Sequence, residues 1–191
     1  CSTGLTETKG DDVDGYIALA RQKHPELADT EIIYVSTPDY LGAFQDGWAK
    51  AVTTLVTKVP RLDTPRCEGR INVLPGSHLT PGDIEELREI IEAFGLDAAF
   101  VPDVSGSLDG HIPDDWLGTT IGGTPLKALQ EIGGAAHTLA IGEQMRPAAE
   151  ALHARCGVPF TVFDRLTGLT ATDALVQLLG SLSGRAAPPR L

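Results

Sequence analysis

Short apolar runs rich in β-branched residues alternate along this chain with segments of helical periodicity, and Gly/Ser/Thr/Pro loops punctuate them. Strict β–α alternation leaves few folds open. Successive strands joined through a helix must run parallel, and the helices must then cover both faces of the sheet. The expected fold class is therefore α/β, with Rossmann-like parallel sheets carrying helices on both faces.

The pattern assigns elements in order. Val13, Tyr16, Ile17 and Ala20 share one face of a helix over residues 12–23, with His24-Pro25 ending it. Residues 31–35 (EIIYV) read as a buried strand. Phe44, Trp48, Val52 and Leu55 mark a helix that ends near Lys58. Residues 59–69 carry two prolines and no periodicity, as a linker would. Residues 70–74 form the next strand. Thr80, Pro81 and Asp83 then supply cap, first turn and capping box for a helix whose apolar face is Ile84, Leu87, Ile91 and Phe94. A strand at 98–101, a Gly-rich loop at 102–123 and a second Thr-Pro start at Thr124-Pro125 follow. The pattern closes with strand 137–141, helix 146–155, strand 158–163 and helix 172–182. The domains expected are 1–69, the C-terminal part of a first Rossmann-like domain; 70–183, a second; and 184–191, a linker or tail. With a single strand before residue 69 the first domain is incomplete, and the chain reads as part of a longer polypeptide.

A net charge of −11 opposes nucleic-acid binding, which needs a basic face. No apolar run reaches the roughly 18–20 residues of a membrane span. The three cysteines Cys1, Cys67 and Cys156 are scattered without a CxxC pair, so a reducing, cytoplasmic setting is expected.

In an open α/β sheet, ligands sit beyond the C-terminal strand ends. Here those ends fall at residues 37–39, 76–78, 103–107, 142–144 and 164–168. No Walker A or strand-borne GxGxxG sequence lies there. Ser77-His78 lacks the second glycine of a nucleophile elbow. His153 and Cys156 have metal-ligand spacing but no second pair to complete a site, and Asp109, Asp114 and Asp115 lack EF-hand spacing. From the residues alone, the chain is a ligand-binding or scaffold module without an assembled catalytic site.

Several segments, in order, resemble the nitrogenase component 1-like family. They are CSTGLTETKGDD (1–12), STPDYLGAFQDGWAKAV (36–52), INVLPGSHLTPGDIEELREIIEAFGL (71–96), VPDVSGSLDGH (101–111), TTIGGT (119–124), GEQMRPAAEAL (142–152) and GVPFTVFDRLTGL (157–169). GSHLTPGD, SGSLDGH and FDRLTG point within the family to the N-type subunits of the scaffold that assembles the iron–molybdenum cofactor.

The resemblance implies a non-catalytic role in nitrogen fixation. A heterotetramer with an E-type subunit, served by the nitrogenase iron protein, would hold iron–sulfur clusters while the cofactor matures. In the catalytic β-type subunits of this family a cluster-ligating cysteine falls where this chain has Gly4, and a cluster-facing serine falls at Asp39. Gly4, Glu7 and Asp39 are therefore expected in cluster-proximal loops, with the cluster ligands outside this chain and no metal held by the chain alone. The alternatives are a catalytic β-type or protochlorophyllide reductase-like subunit, and a small-molecule-binding α/β module.

Overall fold

The computed structural model describes residues 2, 4–106, 115–116, 118 and 121–189. Cys1, Asp109, His111 and Asp114 lie outside the described residues. Helix α1 is Gly4–Lys9, α2 is Val13–Lys23 and α3 is Phe44–Lys58. Then come β1 (Cys67–Pro75), α4 (Pro81–Ala93), β2 (Asp97–Phe100), α5 (Leu126–Glu131), β3 (Ala135–Ile141), α6 (Arg146–Cys156), β4 (Phe160–Phe163) and α7 (Leu169–Ser183).

The four strands form one parallel sheet in the order β2-β1-β3-β4. Side chains of a strand alternate between the faces, so a sheet covered on both sides needs apolar residues at successive positions. On β1, Ile71 and Val73 enter one core with α4 and α7, through Ile84, Leu87, Ile91 and Leu179. Leu74 enters the other core, with Val52 and Val56 of α3 and Leu152 of α6. Strand β3 divides likewise, Leu139 and Ile141 to one side and Ala140 to the other. Asn72 is the polar exception. Fully buried, its amide donates to the carbonyl of Ile132 (2.9 Å) and to Thr138 Oγ1 (3.2 Å).

The α4 start signals act as read. Thr80 Oγ1 accepts from the Asp83 N–H, while Asp83 Oδ2 accepts from the Thr80 N–H at 2.7 Å. That backbone bond, followed by the Thr80 hydroxyl, holds the Asp83 carboxyl below its ordinary range. Among the described residues no helix is long and apolar enough to cross a membrane.

Several expectations are corrected. Gly4 and Glu7, expected in loops, lie on helix α1. The stripe of α2 buries no residue, and Tyr16 is 62% exposed. Residues 31–35 join no ladder; nearby, one parallel bridge pairs Ser2 with Ser36. The linker at 59–69 is tied down: β1 begins at Cys67, Val59 and Pro60 are buried, and the Arg155 guanidinium donates to the Pro60 carbonyl. Arg66 reaches the carbonyls of Ala135 (2.6 Å) and Gly157 (3.1 Å). Arginines far apart in sequence do this work, so periodicity does not register it. Thr124 caps no helix; its hydroxyl donates to the Phe100 carbonyl and accepts from the Asp103 N–H.

Candidate functional site

The three residues singled out from the sequence, Gly4, Glu7 and Asp39, meet around the start of α1. Ser2 is the anchor. Its N–H donates to the Val35 carbonyl (2.9 Å) and its carbonyl accepts from Thr37 Oγ1 (3.0 Å). These bonds fix the chain entering α1 beside the turn that follows residue 35.

Glu7 lies one helical turn beyond Gly4, half-buried. Its Oε1 accepts from the Ser2 hydroxyl and, at 2.7 Å, from the Tyr34 hydroxyl. Hydroxyl donors to a carboxylate stabilise its charged form. The hydroxyls of Ser2, Ser36 and Tyr34, in falling order of effect, with the Lys50 charge behind them, lower the Glu7 pKa from 4.5 to about 2. Glu7 is thus a committed anion, bonded to its own chain.

Asp39 differs. Gly4 is buried, and a Cβ built there would come within 2.0 Å of Asp39 Oδ1 and 3.0 Å of Tyr40 Cδ1. The Asp39 carboxylate therefore lies over the α-carbon of Gly4, in the volume a side chain at position 4 would take. Asp39 itself is exposed.

Beside this cluster an open groove of about 670 Å³ runs from Ser36 along α3, with Lys50 and Asp46 among its polar lining. Its rim is apolar: Phe44 is 74% exposed and Leu41 64%. The Trp48 indole N–H donates to the Pro75 carbonyl (2.9 Å), joining this rim to the C-terminal end of β1.

Sequence reasoning missed Ser2, Tyr34, Ser36 and Lys50. The available signal was Tyr34, because a phenol inside an apolar run needs a hydrogen-bond partner when half-buried. His153 and His78 make structural contacts. His153 Nδ1 bonds the Val158 carbonyl (3.0 Å) and its ring packs edge-on to Phe160. His78 Nδ1 meets the Gln144 side chain at 3.2 Å.

An iron–sulfur cluster requires several thiolate ligands. Among the described residues no three His, Cys, Asp or Glu side chains gather as a metal site. Around Gly4 the donors are hydroxyls and carboxylates, and Gly4 offers no side chain. These residues do not fit the role of holding a cluster by themselves.

Comparison with known proteins follows the same lines. The nitrogenase component 1 type oxidoreductase family matches residues 1–191. The nitrogenase iron-molybdenum cofactor biosynthesis protein NifN of Bradyrhizobium diazoefficiens is 50% identical over 195 residues, spanning 100% of this chain and 41% of that protein. Its counterpart in a Nostoc species is 46% identical, over 100% of this chain and 43% of that protein. Among solved structures, nitrogenase Cp1 superposes with a TM-score of 0.86 at 31% identity, over 98% of this chain and 41% of that one. The chain spans less than half the length of the curated relatives it matches.

Proposed function

The chain belongs to the nitrogenase component 1 type oxidoreductase family, and from that premise we propose that it is part of an N-type subunit of the scaffold on which the iron–molybdenum cofactor is assembled. One observation carries this reading. Identity reaches 50% over the whole chain with a protein named for cofactor biosynthesis, against 31% with a nitrogenase component 1 structure. The missing side chain at position 4 supports the same choice, since the resemblance puts a cluster ligand there in the catalytic β-type subunit.

In this reading the longer protein pairs with an E-type subunit in a cytoplasmic heterotetramer, and the nitrogenase iron protein acts on the complex. The iron–sulfur cluster ligands come from outside these 191 residues. Gly4 and Glu7 on α1 and Asp39 in the turn beside it lie next to the cluster without ligating it as thiolates would. Residues 1–69 are the C-terminal part of a first Rossmann-like domain, 70–183 a second and 184–191 a linker or tail; Val52 and Val56 of α3 pack with Leu74 of β1.

The test is to purify the full-length protein with its partner subunit and measure iron content and transfer of cofactor precursor to nitrogenase lacking its cofactor. Iron-containing complex that activates the acceptor is expected. A protein that reduces dinitrogen on its own overturns the reading.

A further inference from the structure

We propose that the cleft between β2 and α5 holds an ordered water that donates a hydrogen bond to Asn72 in the sheet. Among the described residues, Asn72 Oδ1 is the one buried side-chain nitrogen or oxygen without a hydrogen-bond partner. The residue has no exposed surface, and the other arm of its amide is fully used. Nδ2 donates to the Ile132 carbonyl at 2.9 Å and to Thr138 Oγ1 at 3.2 Å. Turning the amide over does not remove the defect, because Oδ1 would then face the Ile132 carbonyl, acceptor against acceptor. A buried acceptor left dry costs more than an ordinary hydrogen bond returns. In native proteins such atoms are met by ordered water.

The strand order fixes the side on which that water lies. Thr138 is on β3, and β1 separates β3 from β2. With Nδ2 turned to β3, Oδ1 on the far side of the same planar group turns to β2. The register partner of Asn72 there is Ala99, whose side chain is small and carries no donor. Ala99 and Ala128 of α5 line an open cleft of about 190 Å³. Arg70, two residues before Asn72 and on the same face of β1, ties the walls of that cleft together. Its guanidinium donates through Nε to Asp97 of β2 (3.2 Å) and through Nη1 to Glu131 of α5 (3.1 Å). A held water needs further polar partners beyond Oδ1, and the Arg70–Glu131 pair offers them. Oδ1 has no hydrogen to give, so the site takes a small donor and not an anion.

The experiment is a crystal structure of the full-length protein with its partner subunit, at a resolution that shows ordered solvent. In the wild type, water density is expected roughly 2.7–3.2 Å from Asn72 Oδ1, on the β2 side. Two variants test the same point by stability. Ala99→Ser brings a hydroxyl donor beside Asn72, so it should displace the water and leave the thermal midpoint close to that of the wild type. Ala99→Val fills the same space without a donor, so it should displace the water and lower the midpoint. A wild-type structure with both Nδ2 bonds intact and no density at Oδ1 overturns the proposal. So does a protein group from elsewhere in the complex donating to Oδ1, or an equal fall in midpoint for the two variants.

Discussion

On the sheet, Ile71 and Leu139 are fully enclosed, whereas α2 buries no residue at all and Tyr40, Leu41 and Phe44 stand open to solvent. The sheet unit is ordered by apolar contact on two faces. The segment before α3 is ordered by polar bonds converging on Glu7 and Ser2, with one bridge in place of a ladder. Apolar burial is additive over many residues and survives single losses. A hydrogen-bonded hub concentrates its order in a few atoms, and placement there can change through one substitution. A site that must accept a partner or a large group is better built from the second kind of order.

The largest effect should come from the sheet. Leu139→Ala opens a cavity between strand and helix and is expected to lower the unfolding free energy by about 2–5 kcal/mol, read from the urea midpoint. Next comes the cap of α4. Thr80→Ala leaves the Asp83 N–H without its acceptor and should cost about 0.5–2 kcal/mol in the same assay. A Thr80→Ala loss matching that of Leu139→Ala would mean that the core is not what holds this unit.

Glu7→Gln should scarcely move the urea midpoint, yet speed proteolysis and amide exchange across residues 10–43 while β1 and β3 stay protected. Loss of protection in the strands would merge the two regions and break the contrast. The smallest effect is in pH. The Glu7 carboxyl is held near 2, below its ordinary 4.5, so it favours the folded arrangement in full above 4.5. That contribution fades as pH falls from 4.5 toward 2. Asp83, Glu26 and Glu143 are also held low, so the quantity to follow is the difference between wild type and Glu7→Gln. The extra acid sensitivity of residues 10–43 should vanish in the variant.

The sheet unit was largely legible in the sequence, and the hub was not. Apolar periodicity and the Thr80-Pro81-Asp83 device are local, so β1, α4, β3 and α6 could be placed from neighbouring residues. The bonds of Glu7 reach Tyr34, 27 residues away, and no periodicity encodes them. The apolar run at 31–35 has strand composition, but composition supplies no partner, and the ladder is missing. Residues 59–69 looked like a linker because their order comes from Arg66 and Arg155, which bind carbonyls across the fold. Gly4, Glu7 and Asp39 were found through family resemblance; that the first and last occupy one volume appears only in three dimensions.

The most direct test of the scaffold reading is genetic complementation. The full-length gene is introduced into a nitrogen-fixing strain that lacks its N-type scaffold subunit, and extracts are assayed for iron–molybdenum cofactor. Restored cofactor synthesis is the predicted result. A strain that makes the protein in soluble form, with the strain's own E-type subunit present, and still forms no cofactor would contradict the account.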